Sequence, residues 1–143
     1  MSDQMLRVVV GGVLLVHGLG HGGALAAIAW IARFGQGSTG NWKPARSWLR
    51  PGWSSSRAAL VAGSFWLASL AGFVVAALSF WGLLPVDWWQ PLAVAFGLVS
   101  TAGIVLFFGN WPLFNTLAAL AVNVGALIAI LWLQWPPRAV WGS

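Results

Sequence analysis

His17 and His21, the only two histidines of a 143-residue chain, stand four positions apart in the run His17-Gly18-Leu19-Gly20-His21-Gly22-Gly23. Imidazole can ligate a metal, haem or chlorin, hydrogen-bond a quinone carbonyl, or relay protons. On a helix, residues four apart share one face. Two histidines pointing the same way cannot ligate opposite faces of one haem, so a bis-histidine site would take its second ligand from another chain. The only methionines, Met1 and Met5, lie close to the N-terminus. Cysteine is absent and the acids are limited to Asp3 and Asp87. That leaves nothing to complete a tetrahedral zinc set, and it removes disulfide, thiol and Fe–S chemistry within the chain. The competing role for both rings is structural, a hydrogen bond to a backbone carbonyl or to a polar side chain on another helix, such as Asn115 or Asn123.

Two further readings of this run fail. Gly18, Gly20 and Gly23 match the spacing of a dinucleotide fingerprint, but that motif needs a preceding strand and a βαβ unit around it. Val13 to Gly18 looks like the strand and His-Gly element of an α/β-hydrolase, yet no Gly-x-Ser-x-Gly follows.

The segments that must position the histidines are almost uncharged. Charged residues make up 6% of the chain, hydrophobic ones 59%, and the mean hydropathy is +0.83, against roughly 25% charged residues in a soluble domain. No formal charge occurs from Val8 to Ala32, from Ala58 to Val86, or between Asp87 and Arg138. About 20 helical residues cross a hydrocarbon core of roughly 30 Å, so runs of this length read as membrane spans. They lack the alternation of barrel strands, which leaves helices as the way to satisfy every backbone group in lipid. The expected fold is all-α, an integral membrane bundle of four transmembrane helices in a single domain covering 1–143. The spans fall at about 7–34, 58–84, 88–108 and 113–135. Gly109, Asn110, Trp111 and Pro112 break the last apolar stretch in two, since Gly and Asn suit turns and Pro suits a first helical turn. Leu84 to Asp87 separates the second and third spans. His17 then lies about ten residues past Arg7, roughly 15 Å deep and near the midplane. Ionisable groups at that depth mark functional sites by default. The first apolar run exceeds a 7–15-residue signal-peptide core and is read as a span.

Basic residues set the orientation. Arg33, Lys43, Arg46, Arg50 and Arg57 flank or occupy the first loop, 35–57, while Arg7 and Arg138 fall on the other side with both aspartates. The positive-inside rule places this loop in the cytoplasm and both termini outside, in a multi-pass protein of the cell membrane. Tryptophan is layered accordingly. Trp81, Trp88, Trp89, Trp132, Trp135 and Trp141 fall at the outer ends and Trp30, Trp42, Trp48, Trp53 and Trp111 at the inner ones, with Trp66 alone well inside a span. Indole favours that interface, where one side of the ring is dry and its N–H is met. The net charge of +5 and pI near 12 follow from topology and anionic headgroups at the first loop, and nucleic acid is not an expected partner.

Within that loop Trp42, Lys43, Arg46, Trp48, Arg50 and Trp53 interleave indoles with cations, and Pro44 could start a short helix lying on anionic lipid. The alternative is an irregular loop that sets topology by its charge. Each span carries small residues at four-residue spacing: Gly18 and Gly22; Ala68, Gly72 and Ala76; Ala93, Gly97 and Thr101; Ala121, Gly125 and Ala129. Four such seams favour close helix approach and a compact bundle.

The opening of the chain, Leu6-Arg7, Gly11-Gly12 and Leu14 to Gly18, resembles the first helix of DoxX-like membrane proteins. Those are small four-helix proteins, some of them named as subunits of quinone-linked oxidoreductases. The resemblance covers one helix together with size and span number, and His21 stands where the family commonly has lysine. It implies a quinone-linked or accessory redox role with His17 as the carried-over position. With no intramembrane carboxylate, no acid–base pair and almost no soluble part, the expected function is an accessory or anchoring subunit of a larger membrane complex, with quinone-linked electron transfer and other membrane subunits as partners. Haem, chlorin or quinone at His17 and His21 is the cofactor expectation. The alternatives are a self-contained small transporter, which would lack the membrane glutamate of four-helix proton-coupled exporters, and a membrane enzyme acting on lipid or quinone with His17 as base.

Overall fold

The computed structural model describes residues 2–35, 37 and 39–141. Helix α1 spans Asp3–Phe34 and begins where Ser2, in extended conformation, accepts a hydrogen bond on its hydroxyl from the Met5 amide at 3.2 Å. It ends at Gly35, whose φ of 86° closes the last turn with a bond to Ile31 O. Helix α2, Ser55–Phe80, is capped in the same way, Ser54 Oγ accepting from the Arg57 amide at 3.2 Å. A 3₁₀ turn, Val86–Trp88, leads into α3, Trp89–Leu106. Helix α4, Leu113–Leu127, continues as a π turn, Ile128–Trp132, and a one-turn helix α5, Arg138–Trp141, follows. No strand occurs among the described residues, and four helices are long and apolar enough to cross a membrane.

Each span expected from the sequence has its helix, with shifted ends. The first starts earlier, at Asp3, because Ser2 supplies the cap. The second stops at Phe80 rather than at 84, where Gly82 (φ 78°) turns the chain. The third begins as the 3₁₀ turn at Val86 and its helix ends at Leu106, two residues short of 108. The last becomes irregular after Trp132. Gly109 takes φ 85° in the break between the third and fourth helices, a conformation that glycine adopts without a Cβ clash. The short helix α5 has no counterpart in the sequence reading. Its Val140 and Trp141 are buried against Trp89 and Phe80, and Trp141 Nε1 donates to Pro136 O at 3.0 Å.

Successive helices run antiparallel and pack in chain order, α1 on α2, α2 on α3 and α3 on α4. At one end Arg7 and Trp81 lock α1 to α2 reciprocally: Arg7 Nη2 donates to Trp81 O at 3.1 Å and Trp81 Nε1 donates to Arg7 O at 3.2 Å. Gly11 lies against the same indole, where a Cβ would collide with the ring. Further along, Gly18 lets α1 approach Phe73, and Gly72 lets α2 receive the Phe96 ring from α3. Gly103 seats Trp66, which is fully buried. Small residues thus set the close approaches on the first three helices, Gly18 and Gly72 from the expected seams and Gly11 and Gly103 from outside them. The fourth seam differs. Ala121 and Gly125 are exposed, a Cβ on Gly125 would meet nothing within 4 Å, and α4 buries only Thr116 and Asn123. Helix α4 packs on α3 and leaves its small-residue face toward a gap in front of α1.

Candidate functional site: a polar floor in the groove between the first and fourth helices

That gap forms two stretches of groove. One, of about 280 Å³, is apolar and lined by Val9, Val13, Trp89, Gly125, Ala129 and Trp135 among others. The other, of about 590 Å³, is where His17 and His21 lie, with Val13, Gly20, Phe114 and Val122 on its walls and Trp42 and Trp111 beside them. Gly12 and Gly20 widen it, since a Cβ at either would meet nothing within 4 Å.

Both histidines sit on one face of α1, as their spacing requires. Their rings lie 5.0 Å apart and nearly perpendicular. His21 is 3% exposed and stacks on Trp66, with centroids 5.5 Å apart and planes 2° off parallel. His17, half-buried, meets Phe73 edge-on at 4.6 Å. Aromatic contacts of this kind fix ring orientation at about 0.5–1.5 kcal/mol each.

Three helices supply the polar partners. His17 Nε2 lies 2.7 Å from Asn123 Oδ1. Asn123 Nδ2 donates to Ser100 Oγ at 2.8 Å, and Ser100 Oγ lies 3.0 Å from His21 Nε2. Asn123 and Ser100 are both 0% exposed. The bonds form one chain, His17–Asn123–Ser100–His21, that ties α1 to α4 and α3 across the floor of the groove.

The amide oxygen of Asn123 can only accept, so His17 donates from Nε2–H. Ser100 Oγ accepts from Asn123 Nδ2, and it meets His21 Nε2 either as donor of its own proton or as acceptor on its second lone pair. The chain is not a proton wire, because passage through Asn123 would require the amide to tautomerise. It is a polarised scaffold, and such chains strengthen their members in a low-dielectric site.

Asn123 was one of two asparagines that the sequence offered as a partner for these rings. Asn115, the other, is exposed at the groove wall. Ser100 was not anticipated, and little in the sequence marks it. Ser64, Ser69, Thr101 and Thr116 all turn back to the carbonyl four residues earlier on their own helices, which is the ordinary fate of a helical hydroxyl. Only the packing singles out Ser100.

The residues expected at a membrane interface divide into two groups. Lys43, Arg46, Trp48 and Arg50 are exposed. Trp42 and Trp53 are half-buried against a second core around Ala45, Ala62, Trp66 and Phe107. No helix starts at Pro44: residues 42–47 are irregular, which sets the interfacial helix aside and leaves the loop reading of this segment. The loop is held from the side instead. Lys43 N donates to Asn110 O at 2.9 Å, Asn110 Nδ2 to Arg46 O at 2.8 Å, and Trp48 Nε1 to Val105 O at 2.6 Å. Those bonds satisfy backbone groups that a helix would have satisfied internally.

Among the described residues no three metal-ligating side chains gather. A haem or chlorin ligated through Nε2 of either histidine would have to displace Asn123 or Ser100, whereas a quinone-type head group needs only the remaining Nδ1 atoms. No protein-family model, curated protein or solved structure matches this chain.

Proposed function

We propose that this chain is a four-span membrane protein, with its first loop in the cytoplasm and both termini outside, that serves as an accessory or anchoring subunit of a larger membrane complex and holds the head group of a quinone-type ligand at His17 and His21. The carrying observation is the polar chain on the floor of a groove left open along the α1–α4 seam. Membrane ligand sites between helices are mostly apolar and carry a few fixed polar groups, and this groove has that composition. Its apolar upper stretch suits an isoprenoid or acyl tail and its histidine floor suits an oxygen-bearing head. The DoxX-like pattern of the first helix supports the same class.

Membrane residence is supported by the surface. Val16, Leu60, Leu67, Phe114 and Trp132 are exposed, the last at 85%. Large apolar side chains exposed on each of the helices α1, α2 and α4 suit a lipid surround. Exposed Lys43, Arg46 and Arg50 on the loop face would meet anionic headgroups. For a subunit role, the support is the sparsely packed α4 and the π turn that continues it, whose outward residues Leu113, Leu117, Val124, Ile128 and Leu131 are all exposed and free to meet partner helices.

The test is purification in mild detergent, followed by organic extraction and mass spectrometry of the eluate. Wild-type protein should carry a quinone and co-purify with larger membrane subunits. Gly20→Leu, which projects a side chain into the groove without meeting another helix, should lose the quinone and keep the fold. A monodisperse protein without a bound quinone, showing saturable transport of a solute, would replace this reading with the transporter.

A further inference from the structure

A further pocket, of about 740 Å³, lies at the loop end of the bundle, and the ligand reading above leaves it unused. Its polar lining comes from Asn41, Lys43 and Thr116, its apolar lining from Trp42, Trp111 and Phe114 among others. The last three also line the stretch that holds the histidines, so the two spaces adjoin. The fold places Lys43 there through its backbone. Its amide donates to Asn110 O at 2.9 Å, and Asn110 Nδ2 holds the Arg46 carbonyl at 2.8 Å. The loop is thereby fastened to the break between α3 and α4. The charges at this end are uncompensated. Arg33, Lys43, Arg46, Arg50 and Arg57 belong to it, in the last turn of α1, the loop and the first turn of α2. The only acidic residues, Asp3 and Asp87, stand at the start of α1 and in the 3₁₀ turn before α3. Helix α3, 18 residues long, puts roughly 27 Å between Asp87 and the loop end, and α1 is longer still. No carboxylate side chain of the protein can serve Lys43 as counter-ion, so an anion from outside has to.

We propose that this pocket seats one anionic phospholipid from the leaflet on the loop side: its phosphate meets Lys43, and an acyl chain leaves across Phe114 toward the bilayer. The inference rests on the membrane reading above and narrows its diffuse headgroup contact to a single site. Three features select an amphiphile over free phosphate or an acidic protein segment. The cation shares its pocket with large apolar side chains open to the surround, Phe114 at 82% exposed and Leu113 at 62%, and covering them is favourable for a ligand that brings hydrocarbon. The pocket lies at the start of α4, where a helix long enough to span enters the bilayer and the headgroup layer is met. Trp42 and Trp111 complete the wall, and indole favours the boundary between headgroup and chain. Among the described residues Lys43 is the one cation lining the pocket; Arg46 and Arg50 are exposed on the same loop and do not line it.

Native mass spectrometry of the detergent-purified full chain, titrated with dioleoyl phosphatidylglycerol or dioleoyl phosphatidylcholine, tests this. The phosphatidylglycerol adduct should saturate at one lipid and bind about fivefold tighter than phosphatidylcholine, the scale of one basic side chain near an anionic surface. Lys43→Gln should remove that preference, while Arg50→Gln, outside the pocket, should keep it. Lys43 is exposed and held by its backbone amide, so the exchange should leave the helical circular dichroism unchanged. Phe114→Ala should weaken both lipids, and Gly20→Leu, which fills the histidine stretch, should leave the phosphatidylglycerol adduct as it is. Equal affinity for the two lipids, or an equal loss in Lys43→Gln and Arg50→Gln, overturns the inference and leaves the membrane reading standing. Displacement of the lipid by excess inorganic phosphate would make this a phosphate site and overturns it as well. A chain that stays monodisperse without detergent and takes up neither lipid would fell the membrane reading, and this inference with it.

Discussion

At the scale of single residues, the chain places its two histidines among partners that account for one nitrogen of each ring. Removing a partner should therefore cost more than changing a histidine to another donor–acceptor side chain. His17→Gln should keep the helical bundle folded, because an amide can both donate to Asn123 and accept. Asn123→Leu should lower stability by about 1–3 kcal/mol, since it strands His17 Nε2–H and a Ser100 lone pair together; measured intramembrane hydrogen bonds set a lower end near 0.6 kcal/mol. Thermal unfolding in detergent, followed by circular dichroism, separates the two. An Asn123→Leu protein as stable as wild type would mean that the chain contributes nothing to the fold. Legibility at this scale is uneven. The spacing of His17 and His21 already implied a shared face, and Asn123 already appeared as a partner, but the decisive hydroxyl of Ser100 looked no different from Ser69 or Thr101.

At the scale of elements, identical sequence signals had different outcomes. Gly72 and Gly125 both sit in small-residue seams of apolar helices. The first receives the Phe96 ring of α3, and the second faces open space. Gly72→Ala should destabilise by about 1–3 kcal/mol through overpacking, as Phe96 has to leave its seat. Gly125→Ala should be neutral or stabilise by up to about 1 kcal/mol, because only the helix propensity changes. Melting temperatures of the two variants in one detergent should move in opposite directions, and a matched fall would show that α4 closes on a partner through that face. The first loop carries a related lesson. Pro44 suits the start of a helix, yet the Lys43 amide and the Arg46 carbonyl find Asn110 instead. Propensity loses where a side chain from another element offers the same bonds.

At the scale of the whole molecule, the charge distribution is the support for the proposed orientation. Five cations flank or lie in the first loop against Arg7 and Arg138 on the other side, an asymmetry that argues for termini outside and the loop within. Tags on each end, tested for protease access in spheroplasts, should both be cleaved, while a tag inserted near Gly40 should be protected. A protected C-terminus would overturn the orientation. The same paired ends are visible in the packing: Arg7, Trp81, Trp89 and Trp141 gather at one end, and Trp42, Trp53, Ala45 and Phe107 at the other.

The number of long helices, their approximate limits and the break at Gly109 to Pro112 were determined by the sequence alone, whereas the break read at Leu84 to Asp87 begins earlier, after Phe80, with Gly82 turning the chain. The reason is local: an uncharged apolar run of sufficient length has only its own backbone to bond with, and the turn at Gly109 (φ 85°) followed by Pro112 suits the end of one helix and the start of the next. Which helices touch is not local. His17 and Asn123 are 106 positions apart and His21 and Ser100 are 79 apart, and nothing in either neighbourhood encodes the other. Only the tertiary structure decided that α2 would sit between α1 and α3, that α4 would leave a groove open in front of α1 while Asn123 still reaches His17, and that this groove would run past both histidines. That outcome depends on the shapes of Phe73, Phe96 and Trp66 against the glycines opposite them, a property of pairs of surfaces that no single helix carries in its own sequence.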